Sequence, residues 1–235
     1  VDSVFEVSSP KVAELAKLYE NVFRSVNIAL ANEFSLMCRQ LGVCSREVID
    51  AAASKPFGFM PFYPGPGIGG HCIPIDPAYL AWKMRFSNYQ TRFIPLAEEI
   101  NQSMPGHVIR LTSEALNQRK CCLNGSRILA FGVAYKGGVG DIRESPAIGI
   151  LQTLISKGAE VSYTDPHVPS IDIGGVRFLS VNITPDMLKN ADCVLILTDH
   201  PEFNYQQVID SGNLIIDTRD ATWGLPTEKD QVVRL

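Results

Sequence analysis

The chain has 235 residues, of which 46% are hydrophobic and 20% charged, values typical of a globular protein with room for one large domain or two ordinary ones. Its 21 Lys and Arg against 25 Asp and Glu give a formal charge of −4. This balance argues against nucleic acid and against an anionic membrane surface as partners. The sequence contains no apolar run near the roughly 20 residues that a membrane-spanning helix needs.

The first seven residues, Val1 to Val7, lack the basic start and the apolar stretch of a secretory signal peptide. They also lack an initiator methionine, and their short apolar pattern is typical of the last strand of a preceding unit. We therefore expect the chain to be part of a longer polypeptide.

The cysteines show neither a CxxC pair nor a metal-type spacing with the four histidines, so the sequence predicts no metal site. Cys121 and Cys122 are adjacent and cannot easily form a strain-free disulfide with each other. Reduced thiols in a cytoplasmic protein are the natural interpretation. The six residues are Cys38, Cys44, Cys72, Cys121, Cys122 and Cys193.

The first half of the chain has helical periodicity. Ser8-Ser9-Pro10 is a typical capping sequence, and apolar residues recur at helical spacing from Val12 to Leu41, where Gly42 ends the helix. A helix of about 30 residues spans roughly 45 Å and usually packs against another long helix, often that of a second subunit. Further helices are predicted over Arg46–Ala53, capped by Ser45, over Pro77–Trp82, and over Phe93–Leu116, which Pro105-Gly106 should kink or divide.

The second half alternates short apolar strands with helices, which predicts an α/β fold with a Rossmann-like, doubly wound parallel sheet. Such a sheet binds ligands outside the carboxyl ends of its strands. The predicted strands are Arg127–Gly132, Glu160–Thr164, Cys193–Leu197 and Leu214–Asp217. The predicted helices are Pro146–Lys157, Pro185–Asn190 and Tyr205–Ser211.

The loop after the first strand, residues 133–145, is long and charged, with Lys136 and Arg143 among its residues. Gly138-Val139-Gly140 begins a GxGxxG pattern that ends in Arg143, so the dinucleotide fingerprint is missing. Lysine and arginine at this position can still contact phosphates. The alternative is a solvated charged turn, and we favour the ligand interpretation because charge gathers where an α/β sheet binds ligands.

The segment Tyr63–Pro77, with the sequence YPGPGIGGHCIPIDP, is too rich in glycine and proline for a helix or a regular strand. Glycine lets the backbone approach a ligand closely. A rigid loop that presents Cys72 beside backbone N–H groups is the construction of a thiol nucleophile. The alternative is a structural turn around a buried cysteine.

Three segments resemble motifs of the UDP-glucose/GDP-mannose dehydrogenase family. Residues 57–77 resemble its active-cysteine motif, residues 13–21 (AELAKLYEN) its central-helix motif, and residues 134–146 the signature that opens its C-terminal domain. The motifs stand in the family's order and cover essentially the whole chain. Members consist of an NAD-binding Rossmann domain, a helical dimerisation domain and a Rossmann-like UDP-sugar domain.

The resemblance implies that residues 1–104 form an all-helical dimerisation domain with the cysteine loop, and that residues 105–235 form the UDP-sugar-binding domain. The N-terminal NAD-binding domain would lie outside this chain. A homodimer would assemble through the long central helix. The chain alone would then bind a UDP-sugar without turning it over.

The resemblance also implies a reaction: NAD-dependent, four-electron oxidation of the C6 hydroxymethyl of a UDP-hexose to a uronic acid, for polysaccharide or O-antigen precursors. The wording around Cys72 is most similar to UDP-N-acetylglucosamine 6-dehydrogenases, since UDP-glucose members carry a lysine where this chain has Ile75. UDP-glucose and UDP-N-acetylmannosamine remain alternatives. Cys72 would attack the intermediate aldehyde, giving a thiohemiacetal and then a thioester that water hydrolyses.

The resemblance also assigns catalytic roles to individual residues of this chain. Lys17 and Asn21 share one face of the long helix and would stabilise the oxyanion and orient water. The alternative is an ordinary pair of exposed polar residues on a helix. Asp76 would be a general base, a cap for the following helix, or both. His71 is better explained as a bystander than as a base.

Binding roles carry over in the same way. Lys136 matches the position that contacts the UDP-sugar, Arg143 the position that reaches NAD, and Arg219 is a candidate contact to nucleotide phosphate. Gly137-Gly138 depart from the charged or larger residues of relatives, which should loosen the loop and places full activity in question. The sugar pocket would be lined by Phe62, Tyr63, Gly67, Gly69 and Gly70.

Two other functions fit the sequence. One is a cofactor-free thiol hydrolase or acyltransferase centred on Cys72, although the order of Cys, His and Asp gives it no particular support. The other is a non-catalytic UDP-sugar-binding or dimerisation module with a degenerate 137–138 loop. Binding of UDP and the alkylation rate of Cys72 would separate these possibilities.

Overall fold

The computed structural model describes residues 4–235. Its first half is helical, and the first helix begins and ends at the residues that the sequence predicts. Ser9 caps the first helix by accepting a hydrogen bond from the Val12 N–H, and Gly42 ends it with a left-handed φ of 69°. Residues 4–7 form no strand, and the rest of the expected N-terminal strand lies outside the described residues. The helices are α1 (Pro10–Leu41), α2 (Ser45–Ala53), α3 (Asp76–Arg85) and α4 (Phe93–Gln118).

Two helical details differ from the sequence predictions. Ser45 is the first residue of α2 rather than its cap, and its hydroxyl instead donates to the carbonyl of Leu235. α4 is one helix that runs through Pro105, so the predicted division does not occur, and the alternative of a kink stays a prediction. Packing on both sides of the proline compensates for the lost backbone bond, because Met104 and Val108 are fully buried. The division of the chain between residues 104 and 105 stays a prediction.

The second half is the expected parallel sheet, in the order β2-β1-β5-β6-β7. β1 pairs with β2 on one side and with β5 on the other. The chain therefore adds β2 on one side of β1 and the later strands on the other, so the switch point of the sheet lies between β1 and β5. The strands of this sheet are β1 (Arg127–Phe131), β2 (Glu160–Thr164), β5 (Cys193–Ile196), β6 (Leu214–Asp217) and β7 (Val232–Arg234). The helices are α5 (Pro146–Ser156), α6 (Pro185–Asn190) and α7 (Tyr205–Asp210).

The sequence analysis missed three strands. β3 (Ser170–Ile173) and β4 (Val176–Leu179) form an antiparallel hairpin outside the main sheet, joined by Gly174-Gly175, both with positive φ. That glycine pair is a hairpin signal. β7 has only three residues and lies at the sheet edge, so its sequence carries little pattern.

Both faces of the sheet are covered. Alternate residues of the central strands pack on two sides: Ile128 and Ala130 face α4 and α5, whereas Leu129 and Phe131 face α6 and α7. α4 also packs along α1, so it joins the helical half to the sheet. Among the residues described, no helix is both long and apolar enough to cross a membrane.

Candidate active site

The cysteine loop lies between the helical half and the carboxyl edge of the sheet. On the helical side, the Gly65 N–H donates to Asn32 Oδ1 of α1 at 2.9 Å. On the sheet side, the Gly70 N–H donates to the backbone carbonyl of Arg143 at 2.9 Å. The loop is therefore fastened at both ends of its glycine-rich stretch.

Gly69 shows why this loop needs glycine. A Cβ at this residue would lie 2.7 Å from the Cβ of Tyr135 and 2.8 Å from the carbonyl oxygen of Glu144. Backbone and a buried part of a side chain cannot yield easily, so a larger residue would push the loop off the sheet. Only without a Cβ does the loop pack directly on the 133–145 segment.

Cys72 is an exposed, free thiol. Its carbonyl accepts hydrogen bonds from the Asp76 N–H at 2.8 Å and the Ile75 N–H at 3.2 Å, in the turn that starts α3. The cysteine is thus presented on an ordered turn, and the alternative of a buried structural thiol does not apply. Cys193 shows the contrast, because burial raises the pKa of its thiol to about 12.

The structure brings Asn21 and Asp76 together across 55 residues of sequence. Asn21 is fully buried, and its Nδ2 donates to Asp76 Oδ2 at 2.6 Å. Arg24 donates to Asn21 Oδ1 at 2.5 Å. Since a guanidinium only donates and a carboxylate only accepts, the orientation of the amide is fixed.

Asp76 does not cap α3 with its side chain. It is the first helical residue, and Ile75 stands at the cap position without a side-chain hydrogen bond. The carboxylate is directed to Asn21 instead. The capping alternative is therefore wrong, although an acidic residue in the first turn still suits the helix dipole.

Lys17 is exposed, and its ammonium lies 3.0 Å from Glu20 Oε2. Its hydrogen bond and charge lower the pKa of Glu20, and Arg24 holds the other oxygen of the same carboxylate at 3.1 Å. Lys17 thus differs from Asn21, one turn further along the helix. The Lys17 ammonium is in a solvent-exposed ion pair, whereas the Asn21 amide is buried.

Phe62 and Tyr63 turn toward the helices. The Tyr63 hydroxyl donates to Asp50 at 2.7 Å, and the guanidinium of Arg46 lies 4.1 Å from the centre of the tyrosine ring. Phe62 packs edge-on against Phe23, with ring centres 5.8 Å apart. These contacts are with α1 and α2, so the structure does not bring the two aromatic side chains to Cys72.

The 133–145 loop carries two cations. The Lys136 ammonium is exposed and lies 5.6 Å from the Tyr135 ring centre. Arg143 is paired with Asp141 at 2.6 Å, and this hydrogen bond lowers the pKa of Asp141 to about 2. The pKa of Arg143 is raised chiefly by its hydrogen bond to Asp141.

Gly137 packs tightly, contrary to the expected looseness. A Cβ at Gly137 would lie 1.9 Å from the carbonyl oxygen of Asp199, and one at Gly140 would lie 2.6 Å from that of His167. Gly138 has a φ of 73°, which strains residues with a Cβ. Here the glycines allow close packing, so the loop is fitted to its neighbours.

A buried network that the sequence analysis missed holds the start of this loop. Asp165 accepts from the N–H groups of Val133, at 2.7 Å, and Ala134, at 3.2 Å, and from the ring of His200 at 3.1 Å. Burial by itself would raise the Asp165 pKa, but the hydrogen bonds of His200, Val133 and other backbone donors outweigh it, and the pKa is lowered.

His200 completes this network. Its Nδ1 accepts from the Gly138 N–H at 3.2 Å, so the proton is on Nε2, which donates to Asp165. Asp165 directly follows β2 and His200 lies shortly after β5, the two strands beside β1. Polar residues after neighbouring parallel strands were the sequence signal for this pair.

Arg219 follows β6 at the same edge. Its Nε donates to the carbonyl of Leu197 at 2.9 Å, and burial lowers its pKa to about 10, which leaves it cationic at neutral pH. A Cβ at Gly65 would lie 2.9 Å from its NH1 atom. The guanidinium therefore packs against the cysteine loop.

His167, His200 and Glu202 are the group of possible metal ligands that the described residues bring together, with ligand atoms within 4.8 Å of one another. Both ring nitrogens of His200 are already hydrogen-bonded, and His167 Nε2 lies 2.8 Å from Glu202. Coordination would have to break these bonds.

A cavity of about 290 Å³ lies behind the cysteine loop. It is lined by Gly67, Ile73 and Asn101 but not by Cys72.

The long helix, the cysteine loop and the parallel sheet define a two-part chain with a thiol at the junction. Residues 11–103 match the UDP-glucose/GDP-mannose dehydrogenase family, central domain, and residues 129–223 match the UDP binding domain of the same family. The chain belongs to this family.

Similar proteins are nucleotide-sugar dehydrogenases by name. The UDP-N-acetyl-D-mannosamine dehydrogenase of Methanococcus maripaludis (strain C7) is 36% identical over 203 residues, which are 86% of this chain and 44% of the relative. The NDP-N-acetyl-D-galactosaminuronic acid dehydrogenase of Ralstonia nicotianae is 36% identical over 220 residues, 91% of this chain and 49% of the relative. The chain spans about half the length of the curated relatives it matches.

Solved structures agree with this fold. The structure of UDP-D-ManNAc dehydrogenase from Pyrococcus horikoshii superposes with a TM-score of 0.85 at 33% identity, covering 100% of this chain and 54% of that one. The all-helical half followed by an α/β half is therefore also the arrangement of the matching part of that structure.

Proposed function

We propose that this chain is the substrate-handling part of an NAD-dependent nucleotide-sugar 6-dehydrogenase that oxidises the C6 hydroxymethyl of a UDP-N-acetylhexosamine to a carboxylate. The observation that carries the proposal is the exposed Cys72 thiol on an anchored loop, with the buried Asn21–Asp76 pair at the base of the same turn. Membership of the family supports the reaction type.

The proposed chemistry uses Cys72 as nucleophile. Its thiolate adds to the C6 aldehyde, and the oxygen that becomes negative is stabilised by Lys17 and by the second N–H of the Asn21 amide. Loss of hydride from this thiohemiacetal gives a thioester. Asp76 then takes a proton from the water that attacks the thioester, which releases the acid and restores the thiol.

One side chain must change partner for this scheme. Lys17 leaves Glu20, which costs little because exposed ion pairs contribute only about 0–1 kcal/mol. The chemistry that NAD supplies when bound is acceptance of a hydride in each of two steps, and we assign Arg143 as a contact to it, the rest of its site belonging to an N-terminal domain of the longer protein.

The nucleotide part of the substrate would lie at the carboxyl edge of the sheet. Lys136 and Arg219 place positive charge there, and the backbone of Gly67, Gly69 and Gly70 lets a sugar approach the loop closely. A UDP-sugar bound in this way would reach from the two cations to Cys72.

The sugar is the finer part of the proposal. The wording around Cys72 favours UDP-N-acetylglucosamine, whereas several relatives are named for UDP-N-acetyl-D-mannosamine. These two sugars differ only in configuration at C2. We propose an N-acetylated hexose in either case and UDP-N-acetylmannosamine as the first to test, with UDP-glucose as the comparison.

The decisive experiment replaces Cys72 by serine in the longer protein that contains this chain. We expect acid formation, followed by NAD reduction over the three UDP-sugars and by product mass, to be abolished. The matched control is Cys121→Ser, another exposed thiol, which should keep wild-type turnover. Normal acid formation by the Cys72→Ser protein would contradict the proposal, as would NAD reduction by this chain alone.

The chain should also form a homodimer through α1. Leu30, Met37 and Leu41 are 60%, 48% and 77% exposed, and together with Phe34 they form a stripe at helical spacing. Burying this stripe against a second copy would remove it from water. Light scattering after gel filtration should give twice the chain mass, and a monomer at micromolar concentration would refute the dimer.

We also propose a cytoplasmic location, which the six free cysteines support.

A further inference from the structure

A pair of buried asparagines links α1 to α4 directly behind the cysteine loop. Asn32 is 0% exposed and Asn101 is 6% exposed. Asn32 Nδ2 donates to Asn101 Oδ1 at 2.9 Å, and Asn101 Nδ2 donates to the carbonyl of Ser25 at 3.1 Å. Buried amides are costly unless they are hydrogen-bonded, so this chain of bonds fixes both side chains.

The free end of the pair holds the loop. Asn32 Oδ1 accepts the N–H of Gly65, a buried residue seven positions before Cys72. Rotating the Asn32 amide would set its NH₂ against the Gly65 N–H and its oxygen against Asn101 Oδ1. The contacts therefore permit one orientation of the amide, and the loop backbone is held in one place relative to α1.

Gly65 is held from the opposite side by the sheet. The Arg219 guanidinium packs against it, and Arg219 is itself fixed by the carbonyl of Leu197, which follows β5. The glycine is thus enclosed between the buried amide of Asn32 and the cation that we assign to the nucleotide. Its position sets the distance between these two groups.

Pro105 strengthens the link at α4. Because proline has no N–H, the carbonyl of Asn101 lacks the usual helical donor four residues further on. The loop comes close to this same carbonyl, since a Cβ at Gly67 would lie 3.4 Å from it. Backbone and side chain of Asn101 therefore both face the cysteine loop or its anchor.

We propose that Asn32 and Asn101 are positioning residues that act through Gly65 and set the place of the Cys72 loop against Arg219. Their side-chain hydrogen bonds go to each other, to Gly65 and to Ser25, and not to Cys72. The catalytic part of this inference rests on the proposed function, but the anchoring of the loop does not. Displacing a reacting group by about 1 Å can cost on the order of 100-fold in rate, so the anchor should affect turnover more than binding.

The test compares two substitutions of Asn32. Asn32→Asp keeps an oxygen for the Gly65 N–H, whereas Asn32→Leu has a similar volume and removes both hydrogen bonds. The control is Asn27→Leu, at a half-buried asparagine of the same helix whose Nδ2 donates to the carbonyl of Phe23 in the preceding turn. If the leucine protein does not fold, Asn32→Ser, which is too short to reach Gly65, takes its place.

In the longer protein, we expect Asn32→Leu to lower kcat by roughly 10- to 100-fold with KM changed less than about threefold. Asn32→Asp should recover most of that loss, although it too disturbs the bond to Asn101. A merely structural role predicts instead that both variants lose activity in proportion to their loss of Tm. That result, or a wild-type kcat for Asn32→Leu, would overturn the proposal.

A second measurement uses this chain and no turnover. Hydrogen exchange of the Gly65 amide should be at least about tenfold faster in Asn32→Leu, less affected in Asn32→Asp and unchanged in Asn27→Leu. The alkylation rate of Cys72 should change most in Asn32→Leu. Equal exchange in all variants would refute the anchor. Exchange that behaves as expected in a protein without dehydrogenase activity would refute the proposed function alone.

Discussion

Replacing Asp165 by asparagine removes the charge that holds the start of the 133–145 loop. One carboxylate oxygen accepts from Val133 at 2.7 Å, Ala134 at 3.2 Å and His200, and the other accepts from His167 at 2.9 Å and Val168 at 3.0 Å. An amide has a single oxygen, so in either orientation its NH₂ faces at least two buried N–H donors.

The magnitude follows from those lost bonds. A hydrogen bond to a charged group contributes about 1.5–3 kcal/mol, and two of them are lost in Asp165→Asn. Two such bonds amount to about 3–6 kcal/mol, and with some relaxation we expect the free energy of unfolding to fall by about 3–5 kcal/mol. For a chain of this size the melting temperature should drop by roughly 6–20 °C.

Acid should reduce the difference between the two proteins. The folded-state pKa of Asp165 is below its ordinary value of 3.8, so its stabilisation is fully present above that value and is lost as the pH falls through the folded pKa. Asparagine does not titrate, so the gap should be largest at neutral pH and should narrow below about pH 4.

Urea unfolding followed by circular dichroism at pH 7 and pH 3 measures both effects. The control is Asp172→Asn, an exposed carboxylate on β3, which should stay within about 0.5 kcal/mol of wild type. A loss below 1 kcal/mol at pH 7 for Asp165→Asn, or a gap that does not narrow in acid, would show that the network does not carry this energy.

Gly137→Ala should lower the melting temperature and disturb the loop, because its Cβ would lie 1.9 Å from the carbonyl oxygen of Asp199. The control Gly149→Ala, in open space on α5, should instead stabilise the protein by about 0.5–1 kcal/mol. Equal effects of the two substitutions in thermal melts would contradict the close packing at Gly137. In the native protein, the exposed Cys72 should react with a thiol reagent at about pH 8. Cys193 should react only after unfolding, because burial raises the pKa of its thiol to about 12. Rapid labelling of Cys193 in the native protein, detected by peptide mass, would disprove this burial.

Local chemistry let the sequence predict much of the fold. Ser9 and Gly42 bound α1 because a cap and a left-handed glycine act within one turn of the chain. The strands β1, β5 and β6 could be predicted because strands buried on both faces are largely continuous apolar runs. The cysteine loop was evident because glycine and proline act on their own backbone.

Contacts between distant residues belong to the tertiary structure. Asn21 meets Asp76, Asn32 meets Gly65 and His200 meets Asp165, and these pairs are 55, 33 and 35 residues apart. No pattern within a turn or a strand encodes such distances. Ser45 shows the same limit, because a hydroxyl in a good capping position bonds to the far end of the chain instead.

The sequence by itself therefore determined the helices, the four longer strands of the parallel sheet, their order and the presence of a thiol on a glycine- and proline-rich loop. The tertiary structure decided which side chains surround that thiol and what the glycines of residues 137–140 are for. The physical reason is that propensity and periodicity act over a few residues, whereas Gly137 is required by the carbonyl of Asp199, 62 positions further along the chain.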